Sequence, residues 1–223
     1  MEGIFPNRAE AGRRLAERLT AYRSCDDAIV LGLPRGGVPV AYEVAQRLGL
    51  PLDVFVVRKL GVPGYEELAM GAIASGNVSV LNEDVMRALP NSEAILETVT
   101  AQEKIELERR EALYRQARPA PDLRGRVVIL VDDGLATGAT MRAAAAALRK
   151  QGVAKIVVAV PVGAPETCLE LDSEVDEMIC AFMPEFFYGV GQFYEDFSQT
   201  TDEEVRELLA KAKDEPVTNI ASE

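Results

Sequence analysis

The chain has 223 residues, of which 48% are hydrophobic and 27% charged, a balance typical of one globular domain that buries a core. Its formal net charge of −12 argues against broad nucleic-acid binding, which needs Lys and Arg to neutralise phosphates. It contains no histidine, which excludes imidazole metal sites and histidine-based catalytic triads and leaves oxygen ligands, favouring Mg²⁺, for any metal.

Targeting signals and cysteine usage predict a protein of the reducing cytoplasm. The N-terminal MEGIFPNRAEAGRR lacks the apolar segment of a signal peptide, and no apolar run approaches the length of a membrane span. Cys25, Cys168 and Cys180 are odd in number and lack CxxC spacing, which favours buried thiols over a metal site. We therefore expect no membrane and no nucleic-acid partner.

The first sixty residues predict a helix followed by a βαβ unit. NRAEAGRRLAERLTAYR (7–23) places Ala11, Leu15 and Leu19 on one face of an amphipathic helix. The apolar AIVLGL ends in the breaker-rich PRGGVP, the helical spacing of VAYEVAQRLGL follows, and LDVFVVRKL (52–60) is predicted as one strand. Strand, glycine turn, helix and strand in this order predict a parallel sheet.

Residues 61–122 interrupt this rhythm as an insert. Residues 75–77 (SGN) are typical of a hairpin tip between the strand-like AMGAIA and VSVLN. The charged stretch 92–118 predicts a long helix, along which Glu106 and Arg110 are spaced to pair. Its incomplete apolar stripe leaves two interpretations, a solvated helix packed along one edge or part of a mobile lid, and we favour the first.

The alternation of strands and helices resumes after the insert. RVVILV and KIVVAVPV read as buried strands on either side of the alanine-rich helix ATMRAAAAALRKQG, and EVDEMICAFM is predicted as the last strand. Thr201 and Glu204 form a capping box for a C-terminal helix. We predict one α/β domain, residues 1–223, with a parallel β-sheet core flanked by helices, an insert at about 61–122, and a C-terminal hood and helix at about 183–213.

VVILVDDGLATGAT (127–140) joins a buried strand to a helix through two adjacent acids and a small-residue loop. Asp132 and Asp133 stand at the carboxyl end of the strand, where parallel sheets bind ligands. Residues 137–140 open the next helix, whose N–H groups and dipole favour a phosphate. The loop lacks the Lys of a Walker A motif and the glycines of a dinucleotide fingerprint, and a response-regulator acidic pocket needs no such loop. A 5-phosphorylated ribose fits both parts of the stretch, because its phosphate suits the loop and its vicinal diol suits the two acids.

The stretch resembles the motif of type I phosphoribosyltransferases that binds PRPP (5-phosphoribosyl-1-diphosphate): an apolar strand, two acids, variable residues and T-G-x-T. The resemblance implies that Asp132 and Asp133 are catalytic and contact the ribose 2′ and 3′ hydroxyls. Some purine members carry an Asp where this chain has Ala136, so it is more similar to adenine-type and uracil-type members. The resemblance also implies that the loop holds the 5-phosphate through Ala136, Thr137, Gly138, Ala139 and Thr140.

LPRGG, at the end of the first core strand, resembles the family loop that binds the pyrophosphate of PRPP. The segment alone is typical of an ordinary β-to-α turn, and its place in the chain before the acidic motif favours the functional role. The resemblance implies that Gly36 and Gly37 turn backbone N–H groups toward an anion and that Arg35 adds charge. It also implies that the Pro34–Arg35 peptide bond is cis.

Arg58 and Lys59, predicted to follow a strand, resemble the basic pair before the flexible loop of adenine-type members. A solvated surface pair is the alternative interpretation. The resemblance implies that both residues bind pyrophosphate and that residues 61–82 close over the site and exclude water.

Phe186, Phe187 and Tyr188, in MPEFFYGVGQFYEDF, resemble the hood segment of hypoxanthine–guanine members that stacks on the base. A hydrophobic plug under the C-terminal helix explains these aromatic residues equally well. The lysine with which those members read the purine oxygen has no counterpart near residues 162–164.

The resemblance implies a Mg²⁺-dependent transferase that moves the 5-phosphoribosyl group from PRPP to a nitrogenous base or related acceptor and releases pyrophosphate. PRPP itself would hold the Mg²⁺, with Asp132 and Asp133 reaching it at most through water, so we predict no direct metal ligand. We expect a homodimer. Two alternatives stay open: a PRPP or nucleotide sensor without catalysis, and an accessory domain that works beside another enzyme.

Overall fold

The computed structural model describes residues 5–116 and 118–214, without the side chains of residues 66, 67 and 214. Two sheets are present in this part of the chain, one of five strands and one of three. The strands are β1 (Ala28–Gly32), β2 (Leu52–Val54), β3 (Val57–Val62), β4 (Tyr65–Ala74), β5 (Val78–Leu81), β6 (Val127–Val131), β7 (Lys155–Val162) and β8 (Glu177–Phe182). The helices are α1 (Arg8–Arg18), α2 (Gly37–Leu48), α3 (Glu83–Ala88), α4 (Ser92–Arg115), α5 (Ala139–Lys150), α6 (Pro165–Asp172) and α7 (Asp202–Asp214).

The central sheet is parallel throughout, with the strand order β2-β1-β6-β7-β8, as the α/β prediction requires. Successive side chains of its strands enter two separate cores. Ile29 and Leu31 face the core that contains α5, whereas Val30 and Ile129 face the core that contains α1 and α2. Because both faces are covered by helices, the strands need near-continuous apolar runs rather than an alternating pattern.

The order of the strands reverses between β1 and β6. From β1 the chain passes through α2 to β2 on one side, and from β6 it passes through α5 to β7 on the other. Gly32 and Val131 are paired at the carboxyl ends of the two strands, and the Leu33 N–H donates to the Val131 carbonyl at 2.9 Å. The loops after β1 and β6 therefore start side by side, at the switch point where α/β sheets open a ligand crevice.

The second sheet is built by the insert and is antiparallel, in the order β3-β4-β5. The prediction that residues 52–60 form one strand is wrong, because the chain leaves the central sheet at Phe55 and enters the second sheet at Val56. The Phe55 N–H donates to the Gly32 carbonyl at 3.0 Å, and the Val56 N–H donates to Ser75 Oγ at 2.9 Å. Both residues are buried and strand-favouring, so the apolar pattern runs unbroken through the crossing.

The predicted hairpin tip is confirmed, since β4 and β5 pair on either side of residues 75–77. Gly76 and Asn77 adopt positive φ angles of 83° and 58°, as a tight hairpin turn requires. Residues 61–82 are thus largely sheet rather than the loop that the resemblance implied, and their closure over a ligand stays a prediction. The sheet lies between α5 on one side and α4 on the other.

The long charged helix is confirmed as α4, and the packed interpretation is the one that the structure bears out. Leu107 and Tyr114 are buried in a core shared with β3 and α7, while Glu106 and Arg110 pair at 2.7 Å. The capping residue predicted for the C-terminal helix is also present, with the Glu204 N–H donating to Thr201 Oγ1 at 3.1 Å. Among the described residues, no helix is long and apolar enough to cross a membrane.

Candidate functional site

Asp132 and Asp133 lie at the switch point, directly after β6. The Asp133 N–H donates to Asp132 Oδ1 at 2.9 Å, which folds the first carboxylate back over the peptide between them. Burial raises the pKa of the Asp132 carboxyl well above its usual range, and repulsion from Asp133 raises it further. Burial also raises the pKa of Asp133. Two neighbouring carboxyls that resist joint ionisation are typical of a site for a cation or a hydroxyl-rich ligand.

Arg8, the first residue of α1, supplies one positive charge to this pair. Its Nε donates to Asp133 Oδ2 at 2.8 Å, and its second contact is a 2.7 Å hydrogen bond from Nη1 to the Ser198 carbonyl. The guanidinium also lies 4.0 Å from the ring centroid of Phe197. This arginine lowers the pKa of Asp133 against the effect of burial. It therefore ties the N-terminal helix and the end of the hood to the second acid.

The hood reaches the acid pair through Tyr194 and Val190. The Tyr194 hydroxyl donates to the Asp133 carbonyl at 2.6 Å, and burial raises the pKa of that phenol. A Cβ placed on Gly134 would lie 2.4 Å from Val190 Cγ1, so only glycine lets the hood approach this closely. The segment that follows β8 thus covers the loop after β6.

The loop after β1 packs directly against the two acids. A Cβ on Gly36 would lie 2.1 Å from Asp133 Oδ2, and one on Gly37 would lie 2.8 Å from the Asp132 Cα. The glycines are therefore required by contact with the acid pair, a stronger reason than the turn alone. The Pro34–Arg35 bond is cis, as the resemblance implied.

Two details of this loop differ from the expectation. The Gly37 N–H donates to the Leu33 carbonyl at 3.0 Å, so the loop uses this donor to close its own turn, and the contact with an anion stays a prediction. The half-buried Arg35 extends toward α7, where its Nη1 lies 3.8 Å from Asp202 Oδ1. A pyrophosphate contact by Arg35 would compete with that long ion pair.

The predicted phosphate loop is held from outside by two residues of other elements. Thr167 Oγ1 of α6 donates to the Ala136 carbonyl at 2.7 Å, and Arg142 Nη1 of α5 donates to the Thr137 carbonyl at 2.9 Å. In a trans peptide the N–H points opposite to the carbonyl, so the N–H groups of Thr137 and Gly138 point away from these partners.

The start of α5 completes this loop. Gly138 caps the helix with a positive φ of 74°, and Ala139 is the first helical residue. Thr137 and Thr140 are exposed, so their hydroxyls are accessible to a ligand. First-turn N–H groups, which have no partner within a helix, lie here beside two hydroxyls and the positive end of the helix dipole, the arrangement expected of a phosphate cradle. The five predicted residues 136–140 are brought together in it.

Arg58 and Lys59 were predicted to follow a strand, but they lie within β3. As neighbours in a strand, they point to opposite faces of the sheet. Arg58 Nη2 pairs with Glu103 of α4 at 2.6 Å, on the side away from the phosphate loop. Lys59 lines a cavity of about 350 Å³ between the second sheet and α5, together with Ala139 and Thr140. Only Lys59 of the two is on the side of the predicted site.

The three hood aromatics are separated in the structure. Phe187 stacks on Phe193 within the hood, with ring centroids 5.6 Å apart, in the manner of the plug interpretation. Phe186 and Tyr188 are exposed to 67% and 90%. The Gln192 amide joins their backbone, accepting from the Tyr188 N–H at 3.0 Å and donating to the Phe186 carbonyl at 3.1 Å. Two of the three rings thus lie outside the hood core and are available to a planar ligand.

Sequence reasoning missed Arg8, Arg142, Thr167 and Tyr194. Arg8 and Asp133 are 125 positions apart, so no local pattern joins them. Thr167 belongs to α6, an eight-residue helix that was not predicted, although Pro165 at its first position is a helix-start signal. Within the described residues, no group of three or more Cys, Asp or Glu is placed to hold a metal ion.

A family model described as a phosphoribosyl transferase domain matches residues 4–198. The crystal structure of TT1426 from Thermus thermophilus is similar with a TM-score of 0.83 at 43% identity, over 93% of this chain and 98% of that one. Two curated proteins of Mycobacterium tuberculosis, Rv0571c of strain H37Rv and MT0597 of strain CDC 1551, are each 48% identical over 209 residues. Their names assign them a phosphoribosyl transferase activity provisionally. The match covers 94% of this chain but 47% of each relative, so the chain spans about half the length of these two proteins.

Proposed function

The chain belongs to the phosphoribosyl transferase domain family, and we propose that it transfers the 5-phosphoribosyl group of PRPP to a nitrogen atom of a small acceptor with release of pyrophosphate. One observation carries the proposal. The carbonyls of Ala136 and Thr137 accept hydrogen bonds from other elements, so the backbone N–H groups of the loop point in the opposite direction. The loop follows a buried pair of acids in the sequence. A phosphate site beside two carboxylates suits a phosphorylated sugar.

In the proposed complex, the 5-phosphate lies in the cradle of residues 137–140 at the start of α5. The ribose then extends along the switch point, which brings its 2′ and 3′ hydroxyls to Asp132 and Asp133. A carboxyl whose pKa is raised by burial can donate a hydrogen bond to a hydroxyl, and an ionised one can accept, so the diol satisfies either protonation state of the pair.

Bond breaking at C1 leaves positive charge on the ribose ring, as in other oxocarbenium-like reactions. Asp133, kept toward its ionised form by Arg8, stabilises that charge electrostatically from a largely buried position. Because the chain has no histidine, the acceptor proton must pass to a carboxylate, a backbone carbonyl, water or the leaving pyrophosphate. Closure of the second sheet over the crevice would exclude water from it.

The departing pyrophosphate would lie between the loop after β1 and Lys59. Arg35 and Lys59 are the cations expected to neutralise it, and Gly36 permits the close approach of the loop to the acid pair. The acid pair offers hard carboxylate oxygens, which suit a Mg²⁺ ion held by PRPP and contacted through water. Bound in that way, Mg²⁺ would neutralise charge on the pyrophosphate; Asp132 and Asp133 would orient it.

The half-length match to the curated relatives favours one alternative role, that of a module that binds PRPP or a nucleotide for a second domain. Both roles require the same phosphate cradle. Only the transferase role requires that pyrophosphate is released when an acceptor is present.

The test is incubation of the protein with Mg²⁺-PRPP and pooled purines, pyrimidines and small-molecule extract, followed by mass spectrometry for pyrophosphate and a new 5′-nucleotide. A new nucleotide supports the proposal and identifies the acceptor. Binding of PRPP without any product supports the binding module. Absence of PRPP binding would overturn the transferase role and leave only a module that binds a nucleotide.

Asp133→Asn is the matching variant, expected to lower turnover on the order of 10²-fold or more because it removes an electrostatic stabiliser of the transition state. Asp122→Asn is its control, since that carboxylate is exposed and pairs only with Arg124 at 2.9 Å among the contacts described. Equal turnover in both variants would contradict the role given to Asp133.

A further inference from the structure

Cys168 of α6 and Cys180 of β8 both lie beside Gly163. A Cβ on Gly163 would lie 2.4 Å from Cys168 Sγ and 3.2 Å from Cys180 Sγ, so both sulfurs share the space next to one glycine. Cys180 Sγ donates to the Phe182 carbonyl at 3.2 Å, and the neighbouring thiol lowers the pKa of Cys168 and raises that of Cys180. Both thiols are free. A disulfide requires the sulfurs to approach to about 2.05 Å, and both already border the same Gly163 position.

The pair is accessible from the surface. A cavity of about 440 Å³ is lined by both cysteines, by Met178 and Met183, and by the exposed Leu169. Cys168 is 3% exposed as a residue, so only a small reagent that enters this cavity can reach it. The cavity lies on the β8 side of the sheet and does not include the acid pair.

The helix that carries Cys168 also supports the predicted phosphate loop. Thr167, the preceding residue, donates to the Ala136 carbonyl at 2.7 Å. The Cβ position of Gly138 lies 2.8 Å from Thr167 Cγ2 and 3.4 Å from Leu171 Cδ1, so successive turns of α6 pack against the loop. Any movement of α6 toward β8 therefore acts on residues 136–138.

We propose that Cys168 and Cys180 form a reversible disulfide that reports oxidation to the phosphate loop through α6. The oxidant is hydrogen peroxide, which is small enough for the cavity. The Cys168 thiolate attacks the O–O bond and becomes a sulfenic acid as hydroxide leaves; the Cys180 thiolate then attacks the Cys168 sulfur and expels a second hydroxide. The two thiol protons convert both hydroxides to water, and a dithiol reductant restores the pair.

The pairing of the thiols stands independently of the proposed function, whereas its effect on ligand affinity rests on it. Closing the disulfide draws α6 toward β8 and disturbs the hydrogen bond between Thr167 and Ala136. We expect the oxidised protein to bind PRPP more weakly by roughly fivefold or more, the lower end of typical couplings between sites.

The pairing is tested by titrating the protein with hydrogen peroxide, alkylating the remaining thiols, and mapping peptides without reduction. No Lys or Arg lies between positions 168 and 180, so the chain is cleaved after glutamate, at Glu170, Glu174 and Glu177, to separate the two cysteines. A linked peptide pair that disappears with dithiothreitol supports the disulfide. Three alkylated cysteines after peroxide treatment would overturn it, and this result needs no variant that must fold.

The coupling is tested by measuring Mg²⁺-PRPP affinity calorimetrically before and after peroxide. Weaker binding after peroxide in the wild type and in Cys25→Ser, with no change in Cys180→Ser, supports the coupling between the disulfide and PRPP affinity. Cys25 is the matched control because it lies outside the pair. Unchanged affinity in a sample shown to hold the disulfide would overturn the coupling alone. Failure of the reduced wild type to bind PRPP would instead overturn the proposed function, and the mapped disulfide would still stand.

Discussion

Arg8 and Asp133 form an ion pair of 2.8 Å between side chains that are 12% and 15% exposed. Within the described part of the chain, Asp133 is approached by the Arg8 guanidinium from α1, by the neighbouring Asp132 carboxyl, and by the Tyr194 hydroxyl on its carbonyl. Arg8 is the positive group among these. It offsets part of the cost of burying two acids together, and it makes the N-terminal helix a component of the site.

Replacing Arg8 by Gln should raise the pKa of Asp133, because the substitution removes both a charge-assisted hydrogen bond and a neighbouring positive charge. If the ionised carboxylate is the active form, turnover is lost as pH falls through this pKa. The acid limb of the kcat/KM profile should therefore move to higher pH. Carboxyl ¹³C NMR titration measures the same shift without relying on activity.

Two further variants make this result specific. Arg8→Lys keeps the charge and should give a smaller shift. Arg14→Gln removes a more exposed arginine of the same helix, 47% exposed and 3.6 Å from Glu10, and should leave the profile where it is. A profile that does not move in Arg8→Gln would mean that Arg8 has no influence on Asp133.

The acid pair should lower the stability of the fold at neutral pH. The pKa of Asp132 is raised well above the value of about 3.9 expected in an unfolded chain, chiefly by burial, so the native state binds this proton more tightly. The free energy of unfolding then falls as pH rises from the pKa of Asp132 in the unfolded state to its pKa in the folded state. Above the pKa of the folded state the loss is complete. Asp132→Asn removes the titration, so we expect a higher Tm at pH 8, by about 2–4 °C for each kcal/mol recovered.

Asp122 serves as the control, because its effect on the pH dependence of stability is expected to have the opposite sign. Arg124 lowers the pKa of that exposed carboxyl to about 2, so its ionised form is favoured in the native state. Its contribution is present above the unfolded pKa and is lost as pH falls toward 2. Asp122→Asn should therefore lower the Tm slightly or not at all. Calorimetry from pH 4 to pH 8 compares the two, and a lower Tm for Asp132→Asn at pH 8 would refute the destabilising role.

Gly36→Ala should impair the site without a conformational penalty. The φ of Gly36 is −61°, which alanine adopts freely, but its Cβ would lie 2.1 Å from Asp133 Oδ2. The carboxylate must move to relieve that contact, and misplacement of a reacting group by about 1 Å costs on the order of 10²-fold in rate. Steady-state kinetics with PRPP measures the effect.

Gly189→Ala is the matched control for this glycine. Its φ of 165° is extended, and an added Cβ would meet none of the described atoms within 4 Å. Its kinetics should match those of the wild type. If Gly36→Ala were as active as Gly189→Ala, the contact between the loop after β1 and the acid pair would have no functional weight.

The parts of this site that could be predicted from the sequence are those built by consecutive residues. A buried strand, two acids, and a loop that opens a helix occur in one stretch, and the parallel sheet places the end of β1 beside the end of β6. The five-stranded core follows from the same logic, because buried strands and amphipathic helices alternate along the chain.

The parts that could not be predicted depend on contacts between distant segments. The crossing from β2 to β3 at Phe55 and Val56 leaves no mark in the sequence because both residues are buried and favour strands. Arg8 reads as one more polar residue of an amphipathic helix, and its role is defined only when residues 133 and 198 lie beside it. The direction of Arg58 and Lys59 likewise depends on which face of β3 meets α5.

That difference in direction gives a discriminating prediction. Lys59 lines the cavity next to Ala139 and Thr140, so Lys59→Met should lower kcat/KM for PRPP by about tenfold to a hundredfold, the effect of losing a hydrogen bond to a charged group. Arg58 faces α4 and pairs with Glu103, with both side chains 27% exposed. Arg58→Met should leave kcat/KM unchanged and lower the free energy of unfolding by at most about 1 kcal/mol.

The comparison of the two variants decides whether the basic pair acts as a unit. Adjacent residues of a strand point to opposite faces, so both can reach one ligand only if β3 twists or leaves the sheet when the ligand binds. Equal kinetic losses in Lys59→Met and Arg58→Met would therefore require that the second sheet rearranges during closure. A loss in Lys59→Met alone would mean that β3 keeps its present orientation when PRPP binds, with one face for the ligand and one for α4.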